Sequence, residues 1–136
     1  MRTIEYIVCH HSANTHSTVE SVIHWHTTHP AGNGWDHCGY HYIIDKKGTC
    51  TNTLPIERKG IHVRGYNSES IGICCLGHFD QEVVSGGQMG ALRALLSSIK
   101  DQFPYATIVP HSYLGETACP GYNLKQILSQ EGLTNE

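Results

Sequence analysis

Ser70-Ile71-Gly72-Ile73-Cys74-Cys75-Leu76 is a nearly unbroken apolar run of strand length. A strand without a polar face is covered on both sides, so this one belongs in the middle of a sheet. Its adjacent Cys74 and Cys75 must point to opposite faces. Outward from it, Arg2 to His10 alternates and then ends apolar, with Ile4, Tyr6 and Val8 set against Ile7 and Cys9. That pattern predicts a second central strand. Tyr40 to Asp45 and Thr49 to Thr53 form a hairpin around Lys46-Lys47-Gly48, and Thr107 to Val109 gives a short last strand.

Helical segments separate these strands. Ser17-Thr18-Val19-Glu20 has the capping-box form, and Val19, Val22, Ile23 and His26 follow at helical spacing until Pro30. Gln88 to Phe103 places Met89, Leu92, Leu95, Leu96 and Ile99 on one face, stopped by Pro104. A final helix begins near Asn123, with Leu124, Ile127 and Leu128 facing inward. Two irregular stretches remain: a loop between Pro30 and Gly39, and a long connection from Leu54 to Tyr66 that carries His62. Long loops in small domains more often serve function than idle. The pattern predicts an α/β fold with a single mixed central β-sheet flanked by helices. It spans 1–136 as one domain, with a core over about 4–128 and a short C-terminal tail.

The composition narrows the function. With 136 residues, 39% hydrophobic and 15% charged, the chain can bury a real core. A formal charge of −3 argues against a nucleic-acid partner, which would favour a basic patch. No stretch approaches the roughly 20 apolar residues of a bilayer-crossing helix, so no membrane insertion is expected. The start, Met1-Arg2-Thr3-Ile4-Glu5-Tyr6, lacks a signal-peptide layout and runs straight into a strand. Cytoplasmic synthesis is the expectation. Six cysteines could form three disulfides, but without a signal peptide reduced thiols are expected.

Chemistry concentrates at strand ends. Val8-Cys9-His10-His11-Ser12 closes the first strand, Val109-Pro110-His111 closes the last, and Ala118-Cys119-Pro120-Gly121 follows. Imidazole and thiolate suit zinc, and a catalytic zinc has three protein ligands with a fourth position open. Alternation puts His10 and His11 on opposite sides of the strand, so one of them faces a given ion. Spacing does not choose between them. Taken singly, a histidine pair or a lone cysteine is ordinary packing material.

The ordered combination is far more specific. Ile7-Val8-Cys9-His10-His11-Ser12-Ala13, Cys38-Gly39-Tyr40-His41-Tyr42-Ile43-Ile44 and Gly60-Ile61-His62-Val63-Arg64-Gly65-Tyr66-Asn67 come first. Ser70-Ile71-Gly72-Ile73 through Gly77, His111 and Thr117-Ala118-Cys119-Pro120-Gly121 complete the series. In this order the chain resembles the zinc-dependent N-acetylmuramoyl-L-alanine amidases of the type 2 family, which includes phage lysozyme-like amidases and peptidoglycan recognition proteins. The resemblance covers about residues 4 to 128. It implies one zinc ion on His10, His111 and Cys119, so it selects His10 over His11. It also implies catalytic roles for Tyr40, beside the water at the metal, and for Thr117. That last position is lysine in some phage amidases, and a hydroxyl brings no fixed positive charge. His62 matches a histidine lining the substrate groove, and Arg64 and Asn67 match weaker candidates for stem-peptide contacts.

The implied reaction is hydrolysis of the amide between N-acetylmuramic acid and L-alanine in peptidoglycan. A peptidoglycan-binding module without catalysis is the alternative, disfavoured because Cys119 is present. A structural zinc module would want four closed ligands with short paired spacings, and no Cys-x-x-Cys occurs. The resemblance further implies a monomer acting on the cell wall after holin-type release or dedicated secretion.

Overall fold

The computed structural model describes residues 2–134. Met1 and the last two residues of the expected C-terminal tail lie outside the described residues. Five strands form one mixed sheet: β1 (Tyr6–His11), β2 (Tyr42–Ile44), β3 (Cys50–Asn52), β4 (Ser70–Cys75) and β5 (Thr107–Pro110). Their order across the sheet is β3-β2-β4-β1-β5. β4 pairs in parallel with both β1 and β2, β1 pairs in parallel with β5, and only the β2–β3 hairpin is antiparallel. The apolar run thus lies in the third of five positions, and every residue of β4 is buried.

The register fixes which residues share a face. Tyr6, Val8 and His10 pair with Ser70, Gly72 and Cys74, and Val8 also pairs with Val109. Paired residues in adjacent strands point the same way, so these side chains occupy one face. The alternate residues Ile7, Cys9, Ile71, Ile73 and Cys75 point to the other, where they join the main core.

That core is closed by α2 (Gly86–Gln102) through Met89, Leu92, Leu96 and Ile99, and by α4 (Tyr122–Gln130) through Leu124 and Leu128. Across the sheet, α1 (Val19–Thr27) lays Val19, Val22 and Ile23 over Ile43, Cys74 and Leu76. Val63, from the long connection, covers Val8 and Val109. Cys74 and Cys75 belong to different clusters, as opposite faces require. All six cysteines are free thiols.

Several boundaries differ from expectation, among them the start of β1, at Tyr6 rather than Arg2. α1 is capped by Thr18 with Ser21, not Ser17 with Glu20. Ser17 is occupied elsewhere, its hydroxyl lying 2.6 Å from that of Ser12 and donating to Asn14 O at 3.1 Å. β2 begins at Tyr42: His41 N–H still donates to Gly72 O of β4 at 2.9 Å, but the two residues before it turn to side chains. Gly39 N donates to Nδ1 of His26 and Tyr40 O accepts from Oγ1 of Thr53. After α4 the chain turns back on the core, where Leu133 packs and donates from its N–H to Leu128 O.

The long connection from Leu54 is held by Arg2. Its guanidinium donates to Ile56 O at 2.7 Å, Asn67 O at 3.1 Å and Ser70 O at 3.0 Å. A short 3-10 turn, Asn67–Glu69, then leads into β4.

Candidate metal centre and catalytic cleft

β1 and β5 run parallel and end at the same edge of the sheet, so His10 and His111 emerge side by side. In open α/β sheets this carboxyl edge is the usual place for ligands. His111 opens the four-residue helix α3 (His111–Leu114), and its ring centroid lies 4.6 Å from that of His10. Cys119 enters from the next loop, its Sγ 3.6 Å from Nδ1 of His10. One ligand atom from each of His10, His111 and Cys119 can be chosen so that all lie within 4.8 Å of one another. Three donors around one ion would fall within that limit.

His11 takes another job. Its Nδ1 accepts from Phe79 N at 3.2 Å, and its backbone N–H donates to Sγ of Cys119 at 3.4 Å. So the second histidine of the pair braces the loop and the thiol.

Burial shapes the electrostatics. It is the main reason that His10 lies well below the ordinary imidazole range, reinforced by His62 and His111. His111 is lowered by burial too. Both rings are therefore neutral, with lone pairs to offer. The Cys119 thiol is pushed up to about 12 by burial, against which the His11 N–H pulls only partly. A thiolate here needs a cation beside it. Nδ1 of His111 is buried without a hydrogen-bond partner, a cost that native structures rarely leave standing. Two neutral imidazoles, an uncompensated thiol and an orphaned ring nitrogen fit a soft divalent ion. The donor set fits zinc.

Tyr40 packs on this centre, its ring centroid 5.1 Å from that of His10. Burial, with Cys74 and Cys119 nearby, holds its phenol well above the usual range, so it stays protonated. Thr117 accepts through Oγ1 from Cys119 N at 3.2 Å. Both residues line the cleft of about 380 Å³ that opens over the three donors. His62 lines it as well, with Nδ1 2.9 Å from Nε2 of His10 and Nε2 3.1 Å from Oγ of Ser70. Next to this cleft, sharing Tyr40 and His62 with it, is a second hollow that Arg64 and Asn67 help to line. Asn67 spends its side-chain oxygen on His62 N and Val63 N, at 2.9 and 2.8 Å. Arg64 is exposed, and a third hollow runs from it past Glu116 to His111 and Thr117.

Residues 1–122 match the profile of the N-acetylmuramoyl-L-alanine amidase family. The chain belongs to that family. The endolysin of Klebsiella phage KP32 is 35% identical over 113 residues, which is 79% of this chain and 72% of that protein. Among solved structures, the N-acetylmuramoyl-L-alanine amidase LysC from Clostridium intestinale shares the fold with a TM-score of 0.85 and 28% identity. That match covers 96% of this chain and 87% of the other. The endolysin of Thermus scotoductus bacteriophage Ph2119 gives a TM-score of 0.85 at 31% identity, over 96% and 85% of the two chains.

Several residues of this amidase's cleft escape sequence reasoning. His78 and Asp80 also line it, and neither belongs to a motif singled out in the sequence. Trp35 and His26 wall the neighbouring hollow, and their rings lie 4.8 Å apart. Trp35 follows Gly34, so an aromatic in a glycine-marked loop was the one local hint. His41 does not line the cleft and is fully buried, with Nδ1 accepting from Gly72 N at 3.0 Å.

Proposed function

We propose that this amidase holds one zinc ion on His10, His111 and Cys119 and hydrolyses the bond between N-acetylmuramic acid and L-alanine in bacterial peptidoglycan. The observation carrying this is the convergence of three donors from three separate segments, within 4.8 Å, at the base of an open cleft. Zinc in that position supplies Lewis-acid polarisation of a carbonyl and lowers the pKa of water towards about 7.

The chain's own residues do the rest. His11 N–H and the Thr117 turn hold Cys119 in place from two sides. Tyr40, kept protonated by burial, can donate to the oxygen that gains charge as the carbonyl is attacked. Thr117 accepts with a lone pair, which leaves its O–H able to donate into the cleft. Arg64, exposed and lining two hollows, would pair with the carboxylates of a stem peptide. Asn67 offers only its amide nitrogen, since its oxygen shapes the loop. His62 lines the cleft, but both ring nitrogens are already engaged.

The chain is taken to act as a monomer, and its endolysin relatives support action on the cell wall after release. Among the described residues no helix is long and apolar enough to cross a membrane. The test is elemental analysis of the purified chain together with mass spectrometry of peptidoglycan digests. One zinc per chain and freed stem peptides are expected, and Cys119→Ala should lose both. Full hydrolysis by a metal-free Cys119→Ala variant would overturn the metal assignment.

A further inference from the structure

We propose that Ser70 and His62 act as positioning residues, a relay that fixes the ring tautomer of His10 so that its Nδ1 is left unprotonated towards Cys119. The inference rests on the metal reading above, because the lone pair so presented is the one an ion would take.

The direction of each hydrogen bond can be worked out from one end. Oγ of Ser70 has a single proton and two close neighbours, Tyr66 O at 2.8 Å and Nε2 of His62 at 3.1 Å. A carbonyl oxygen only accepts, so the Ser70 proton goes to Tyr66 O. The contact with His62 is then a hydrogen bond only if Nε2–H of His62 donates to Ser70. A neutral imidazole has one N–H, so Nδ1 of His62 must accept. What faces it, at 2.9 Å, is Nε2 of His10, which therefore donates. Nδ1 of His10 keeps its lone pair. It is this nitrogen that lies 3.6 Å from Sγ of Cys119.

Sheet register makes the relay necessary. Ser70 pairs with Tyr6, four residues before His10, or about 13 Å along a strand. No side chain at position 70 reaches His10 directly. The His62 ring bridges the gap by lying over Gly72, where a Cβ would come within 2.6 Å of its Cγ and Nδ1. Asn67 fixes the backbone of His62, and Arg2 ties Asn67 and Ser70 together. Buried partners that orient a metal-binding imidazole commonly change metal affinity 10- to 100-fold when removed.

The experiment is ¹⁵N NMR of the histidine rings in the full chain after chelator treatment, paired with zinc titration. Two-bond ¹H–¹⁵N couplings show which nitrogen carries the proton. Expected are Nε2–H tautomers for both His10 and His62. Ser70→Ala should mix the tautomers of both rings and weaken zinc binding by about 10-fold, and Ser70→Thr should restore both properties. An Nδ1–H tautomer at His10 in the unmodified chain overturns the relay, and this reading needs no variant to fold. Unchanged tautomers and zinc affinity in a folded Ser70→Ala also overturn it. Expected tautomers in a chain that takes up no zinc would support the relay and sink the metal reading instead.

Discussion

At position 72 a side chain of any size meets the His62 ring, with the nearest approach of a built Cβ at 2.6 Å. Glycine inside a strand usually loses packing and chain entropy, and it persists where another group must come close. Here the group is an imidazole that touches His10. Gly72→Ala is therefore expected to displace His62 and to cost about 1–3 kcal/mol of stability, the usual range for overpacking. Urea denaturation measures the cost, and the His62 ring shifts in a ¹H–¹⁵N spectrum report the displacement. A variant as stable as the parent with unmoved His62 signals would refute the steric argument. Gly90 is the contrasting case. It is exposed within α2, and a Cβ there meets nothing within 4 Å. Gly90→Ala should stabilise the chain by about 0.5–1 kcal/mol, through helix propensity alone.

Among the elements, α2 was fully legible. Five apolar residues at helical spacing announced it, and Met89, Leu92, Leu96 and Ile99 are indeed buried on the sheet. The strands were legible in position though not in every bound, and the segments carrying His10, His111 and Cys119 stood at strand ends or in the loop just beyond, but only the family resemblance chose His10 over His11. The cap of α1 was misplaced by one residue because a contact with Ser12, outside the helix, claims the Ser17 hydroxyl. What could not be read was the support for the long connection. Arg2 lies 54 positions from Ile56 and 65 from Asn67, and no local spacing links them. Its guanidinium satisfies carbonyls that would otherwise be hard to pair in a segment without secondary structure. Arg2→Ala should cost at least about 1.5 kcal/mol, the lower figure for a charged hydrogen bond. Amide hydrogen exchange should quicken at Ile61 to Asn67 while α2 stays protected. Uniform loss of protection across both segments would mean that Arg2 supports the whole fold rather than this connection.

Over the whole molecule, charge is excluded from the interior through histidine. Burial is the first cause lowering His10, His11, His26, His41, His62 and His111, with His11 and His41 brought down to about 4 and His62 to about 3. Only two ion pairs occur among the described residues, Lys46–Glu82 and Arg93–Glu131, both at the surface. Such pairs contribute little, and their carboxylates titrate below the histidine range. The sign then follows. Between the unfolded value of 6.5 and the depressed folded values, the unfolded chain binds more protons than the native one. Stability is fully present above about pH 6.5 and drains away as pH falls towards 4. Calorimetry on chelator-treated protein should show a nearly constant Tm from pH 8 to 7 and a steep fall between about 6.5 and 4. His41 offers a clean dissection, because it is fully buried and touches none of the three donors. Its Nδ1 accepts from Gly72 N, and asparagine can present an oxygen in nearly the same place. His41→Asn keeps that acceptor but loses the 2.8 Å bond from Nε2 to Arg58 O, so it should lower Tm at pH 8 and yet show a shallower fall with acid. An unchanged slope would assign the acid sensitivity to the remaining buried imidazoles, and a Tm that rises below pH 6.5 would contradict the sign itself.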